Sequence, residues 1–221
     1  MTIGPAPRIS LAGSGALLLD GAQARFDDAT QELVWAVAEA ARGLDGVRET
    51  VPGMNNLLVL FDPLVTDASR VGEQLQSLWA GTDPQAAAGS LHRIPVHYGG
   101  SRGEDLAGWA AHCALSLEET VDRHAAATYS VAAIGAMPGF PYLSGLDPRL
   151  SWPRRKNPRL KVAEGAVIIG GAQAGIMPMT APSGWHIIGH TDVRLFDIQA
   201  QSPVLLRPGD KVQFEIAGIE Q

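Results

Sequence analysis

Six cations, Arg149, Arg154, Arg155, Lys156, Arg159 and Lys161, fall in one short stretch that contains no acid. The protein as a whole is acidic, with 17 Lys and Arg against 23 Asp and Glu. A third of the basic residues gathered in one place therefore points to an anion held there. Pro153 and Pro158 fix their own φ angles and push their neighbours towards extended backbone, so the run is presented as a stiff loop. Arg154, Arg155 and Arg159 on such a loop match the paired oxygens of a carboxylate or phosphate. The alternative is a solvated strand face carrying Arg and Lys. Upstream, Phe140 and Tyr142 stand among Pro138, Gly139 and Pro141, as the aromatic walls of a pocket mouth would; core packing suits Phe140 equally. Downstream, Gln173 lies between Gly171 and Gly175, where an amide can read a ligand's amide or carboxylate, or brace the loop.

The histidines offer proton transfer or metal binding. His186 and His190 are four apart, which on a helix would be metal-ligand spacing. Ser183, Gly184 and Gly189 argue against a helix. On a strand the two would be about 13 Å apart, too far for one metal. His190 remains a candidate for proton transfer or anion contact. Cys113 follows His112, but adjacent helical residues do not face each other, and a buried, inert thiol is expected. The familiar signatures are missing. Gly170 to Gly175 has phosphate-loop glycines without the following Lys-Ser/Thr. There is no G-x-S-x-G elbow, no H-E-x-x-H, no cysteine pair and no EF-hand loop, so no metal is expected.

These residues must be positioned by a scaffold. At 221 residues, with 46% hydrophobic and 18% charged residues, the chain can bury one large or two small cores. The first part reads as strands Arg8 to Ala12 and Ala16 to Leu19, a helix from Thr30 to Leu44, strands Val47 to Val51 and Leu57 to Phe61, and a helix from Asp67 to Ala80. That order is a small α/β sandwich, one antiparallel sheet with helices on one side. Gly81 to Ser90 is small, polar and turn-rich, and marks a boundary between domains 1–88 and 89–221. Beyond it come a strand from Leu91 to His97 and helices from Asp105 to His112 and Ser116 to Ala126. The second helix opens on a Ser116/Glu119 capping box. Short strands follow at Ser130 to Ile134, Ala166 to Ile169, Trp185 to Ile188, Val193 to Phe196 and Val212 to Ile216. With Gly/Pro punctuation they suggest a small closed barrel, and an α+β fold class for the whole. The net charge of -6 argues against nucleic acid as a partner. No apolar run reaches the roughly 18 residues of a membrane span. The single cysteine and the lack of a signal-like N-terminus favour the cytoplasm.

The linked motifs carry a resemblance. P-G-F-P-Y-L-x-G-L-D (Pro138 to Asp147), P-R-R-x-x-P-R (Pro153 to Arg159), the glycine turn around Gln173 and G-W-x-I-I-G-H-T (Gly184 to Thr191) form one set. L-F-D (Leu195 to Asp197) and L-R-P-G-D (Leu206 to Asp210) close it. Together they resemble the KipI/PxpB family, also labelled allophanate hydrolase subunit 1. I-P-V-x-Y-G-G (Ile94 to Gly100), A-A-H-C-x-L-S (Ala110 to Ser116) and P-G-M-N-N (Pro52 to Asn56) fit as well. The resemblance implies an N-terminal α/β domain followed by a cyclophilin-like β-barrel, similar to half of the carboxyltransferase-like region of urea carboxylase. It implies the PxpB-type component of an ATP-dependent 5-oxoprolinase, a hydrolase that opens 5-oxoproline to glutamate. The partners would be KipA/PxpC-type and PxpA-type subunits, and ATP would be a co-substrate of the complex. Two other readings are an inhibitor of a sensor histidine kinase and a component of urea or allophanate hydrolysis. On the oxoprolinase reading Arg154, Arg155 and Arg159 hold anions, Gln173 and Tyr142 touch the lactam, and His190 moves a proton. His190 stands where many relatives carry arginine.

Overall fold

The computed structural model describes residues 6–22, 26–84 and 89–220. It divides into two compact units, Met1–Ala88 and Gly89–Gln221. Part of the turn-rich stretch between Gly81 and Ser90, residues 85–88, lies outside the described residues.

In the first unit, β1 (Arg8–Leu11), β2 (Ala16–Asp20), β3 (Val47–Pro52) and β4 (Asn56–Phe61) form an antiparallel sheet in the order β1-β2-β4-β3. Alternate residues Leu57, Val59 and Phe61 of β4 and Leu17 and Leu19 of β2 are buried on one face, as period-2 patterning requires. That face meets α1 (Asp28–Ala41) and α2 (Ala68–Gly81) through Val34, Val37, Val71, Leu75 and Trp79. Asp27 and Asp67 cap the two helices by accepting from the N–H groups of Thr30 and Arg70. The turn between β3 and β4 is tied to α1. The Asn55 side chain, on a residue with φ 55°, accepts from Asp27 N at 2.8 Å and donates to Asp27 O at 2.7 Å, while the Asn55 N–H donates to Gln31 Oε1 at 2.7 Å.

The second unit is a closed barrel of β5 (Leu91–Gly99), β6 (Thr128–Ile134), β7 (Pro141–Ser144), β9 (Ala166–Gly170), β10 (Gln173–Ile176), β12 (His186–His190) and β13 (Lys211–Glu220). Neighbours are antiparallel except β13 and β5, which run parallel. A separate ribbon pairs β8 (Arg159–Val162) with β11 (Ala181–Ser183). Helices α3 (Leu106–Cys113) and α4 (Leu117–Ala126) connect β5 to β6. Ser116 caps α4 by accepting from Glu119 N, whereas the Glu119 carboxylate pairs with Arg123; half of the expected capping box forms.

β9 is buried along its whole length. Val167 and Ile169 face the barrel core, and Ala166 and Ile168 join a second cluster with Phe140, Val162, Met177, Trp185 and Ile187. A strand covered on both faces explains the unbroken apolar run Ala166 to Ile169. The expected strand at Val193 to Phe196 is a loop. Its ladder is limited to one bridge, Phe196 with Val204, and Thr191 and Asp197 side chains bond to backbone two residues on, making turns. β7, β10 and β11, none expected, are three or four residues long, too short to develop an alternating pattern, and β8 realises in part the alternative of a strand carrying Arg and Lys.

Candidate functional site

The second cluster floors a cleft of about 310 Å³. Met137, Phe140, Tyr142, Met177 and Trp185 supply its apolar surface, the cationic loop supplies Arg154, Arg155 and Pro158, and the β11–β12 corner supplies Ser183 and Gly184. Three aromatic rings meet edge to face. The centroids are 5.0 Å apart for Phe140 and Tyr142, 5.8 Å for Phe140 and Trp185, and 6.2 Å for Tyr142 and Trp185, within the range such pairs prefer. Phe140 is 4% exposed, so it is both core and wall. Glycines make room. A Cβ on Gly170 would meet the Trp185 ring at 2.6 Å, and one on Gly175 would meet Phe140 at 3.0 Å.

Arg154 is exposed, and its guanidinium carbon lies 5.2 Å from the Trp185 ring centroid, a cation–π placement. It makes no ion pair among the described residues. The backbone on either side is pinned: Pro153 O accepts from His186 Nε2 at 2.8 Å, and Arg155 N donates to Gly184 O at 2.8 Å. Arg155 lines the cleft but is paired with an acid, and Arg159 is turned elsewhere. Arg159 forks onto Asp105, Nη1 to Oδ2 at 2.8 Å and Nη2 to Oδ1 at 3.0 Å, while its Nε faces Glu104 at 3.0 Å. Arg155 Nη1 reaches Asp105 Oδ1 at 3.2 Å. The acid-free run of the sequence is thus partly neutralised by acids from the start of α3. Burial pushes the Asp105 carboxyl up, but hydrogen bonds from Arg159 and the Ile187 N–H, with the charges of both arginines, outweigh it and hold the carboxyl below its ordinary value.

His186 lies beneath the loop. Trp152 stacks on its ring at 3.5 Å and 9°, and His112 stacks on Trp152 at 5.4 Å. A carbonyl only accepts, so Nε2 of His186 carries the proton, and buried Nδ1 has no partner among the described residues. Burial lowers its pKa. His190 sits at the other end of β12, roughly 16 Å from Trp185 at strand rise. Its Nδ1 faces Arg102 Nη1 at 3.1 Å, and its ring lies over Gly165. Gln173 opens β10 opposite Gly170. Neither lines the cleft. The structure therefore brings together Phe140, Tyr142, Arg154 and Arg155, places Arg159 behind them, and sets His190 and Gln173 apart. Trp185, Met137 and Met177 line the cleft without having stood out as site residues in the sequence. The Gly184-Trp185 motif was the available signal for Trp185.

Residues 7–206 match the model of the carboxyltransferase domain, subdomain C and D, and the chain belongs to that family. It is similar over most of its length to bacterial proteins named as the B-type component of 5-oxoprolinase. The Escherichia coli O157:H7 protein is 43% identical over 84% of this chain and 85% of its own length. The Haemophilus influenzae one is 42% identical over 86% and 89%, and the Bacillus subtilis one 33% identical over 86% and 86%. Among solved structures, TTHA0988 superposes with a TM-score of 0.80 at 33% identity, covering 92% of this chain and 40% of that one. The chain thus spans well under half of that longer protein. The urea amidolyase of Kluyveromyces lactis superposes with a TM-score of 0.81 at 18% identity, over 99% of this chain and 15% of that one; this is a likeness of fold.

Proposed function

We propose that this chain is the PxpB-type component of an ATP-dependent 5-oxoprolinase complex and that its cleft holds 5-oxo-L-proline. The observation that carries the reading is Arg154, a cation without an acid partner among the described residues, held over Trp185 at the mouth of an aromatic cleft. 5-Oxoproline has one carboxylate and a flat five-membered ring. The carboxylate suits the Arg154 fork, and the ring suits the edges and faces of Tyr142, Phe140 and Trp185. The Tyr142 hydroxyl, free of hydrogen bonds among the described residues, and the Ser183 hydroxyl are the polar groups available to the lactam. A secondary lactam is a poor electrophile, and ATP as co-substrate of the complex would activate its oxygen. Removal of water by the apolar walls would strengthen the contact between Arg154 and the carboxylate. Partners of the KipA/PxpC and PxpA types complete the complex in this reading, which the names of the similar bacterial proteins support. The test is glutamate formation from 5-oxoproline and ATP by the chain with those partners, with urea and allophanate run in parallel. Arg154→Ala is expected to raise the KM for 5-oxoproline by roughly tenfold or more, the loss of a charge-assisted hydrogen bond. An unchanged KM, or turnover of urea or allophanate instead, overturns the assignment.

A further inference from the structure

Asp105 stands at the N-cap of α3, the position where its side chain would ordinarily accept from the helix's free N–H groups. It makes no such bond. Its carboxylate points away from its own helix and accepts four hydrogen bonds from two other segments. Ile187 N donates to Oδ2 at 2.7 Å, Arg159 donates to both oxygens, and Arg155 donates to Oδ1. The Asp105 N–H in turn donates to Ile187 O at 2.9 Å, so residue 105 is clasped to β12 through both backbone and side chain. The two arginines it holds follow Arg154 in the same loop, Arg155 directly and Arg159 at the loop's end. The side chain is 11% exposed, and the acceptor sites of a carboxylate are filled.

We propose that Asp105 is a positioning residue: it locks the loop from Pro153 to Arg159 onto β12 and so aims the Arg154 guanidinium across Trp185 into the cleft. Two arginines conspicuous in the sequence thereby serve the third. The inference rests on the reading of the cleft as the 5-oxoproline site. An acid that merely stabilised the unit would have no reason to act through Arg154, and that is where the two roles part.

The experiment is a double-mutant cycle in the reconstituted complex, with KM and kcat for 5-oxoproline measured for the wild type, Asp105→Asn, Arg154→Ala and the double variant. Asp105→Asn keeps the size and one acceptor but removes the charge that orients both arginines. It is expected to raise KM by roughly tenfold with a smaller change in kcat. In the Arg154→Ala background the same substitution should leave KM unaltered, because the group it positions is gone. A KM effect of equal size in both backgrounds, or none in either, overturns the positioning role while leaving the cleft reading intact. An unaltered KM in Arg154→Ala alone overturns the cleft reading and this inference with it. If Asp105→Asn does not fold, Arg159→Lys, which keeps the charge but loses the fork, is read in the same cycle with the same criteria.

Discussion

His124 makes a sharp prediction about acid stability. It projects from α4 into the barrel core, is fully buried, stacks on Phe214 at 4.6 Å, and exchanges a 2.8 Å hydrogen bond with the Tyr98 hydroxyl. Among the described residues no carboxylate bonds to it, and Nε2 has no partner. Burial therefore pushes its pKa down to about 3, and the ring is neutral in the fold. In the unfolded chain it protonates near 6.5. Below that pH the unfolded state binds one more proton than the folded state, so stability falls as pH falls, until the folded pKa is reached. The slope is about 1.4 kcal/mol per pH unit, which integrates to about 2 kcal/mol between pH 7 and pH 5. His186, whose pKa is also lowered by burial, adds to the fall in the same direction, so the His124 share must be isolated by substitution. His124→Phe keeps the stacking on Phe214 and leaves the Tyr98 hydroxyl without its partner, so it starts less stable at pH 7. Its loss of stability on going to pH 5 should be smaller than that of the wild type by about 2 kcal/mol. The assay is urea unfolding at both pH values by tryptophan fluorescence, with Trp35 and Trp79 replaced by Phe. Trp109, Trp152 and Trp185 then report on the second unit alone. An equal pH dependence in the wild type and His124→Phe would refute the reasoning that this ring is held uncharged.

Gly170→Ala sets a Cβ against the Trp185 ring at 2.6 Å; it should destabilise the second unit by about 1–3 kcal/mol and raise the KM for 5-oxoproline, with a shift in tryptophan emission. Gly171→Ala is the control: its Cβ meets open space, and the φ of +65° costs about 1–2 kcal/mol while KM stays unaltered. In the first unit, Asn55→Ala removes the side-chain bonds that tie the β3–β4 turn to α1 and leaves a non-glycine residue at positive φ. A loss of about 2–4 kcal/mol is expected by fluorescence of Trp35 and Trp79; a loss under about 1 kcal/mol would mean the turn holds itself.

The first unit was readable because its helices and strands are long enough to carry a period. Leu57, Val59 and Phe61 alternate, and α1 and α2 each run for 14 residues. In the second unit β5 was visible by its alternation and β9 and β12 as apolar runs, but β11 was not, since a three-residue strand has no period to read. The cleft was half legible. Phe140, Tyr142, Arg154 and Arg155 lie near one another along the chain, and proline and glycine between them announced a shaped loop. Asp105 was invisible as a site residue because its partners are 50 and 54 positions away, and a helix-opening aspartate has an ordinary explanation. His190 shows the opposite failure. It shares a motif with Trp185, yet a strand carries it away from the cleft by a fixed rise per residue, so nearness in sequence became distance in space.

The parallel pairing of β13 with β5 joins residues about 120 positions apart, from Lys211 with Leu91 to Glu220 with Gly99. Every other seam of the barrel except that of β13 with β6 can zip earlier, but the ring stays open until β13 arrives. On a ribosome, β5 would wait with an unfilled edge while the helices, the cleft strands and the cationic loop were made. Closure of so long a loop is entropically slow. The barrel therefore closes only once β13 has been made, and an exposed strand edge is the hazard a nascent chain of this design must survive.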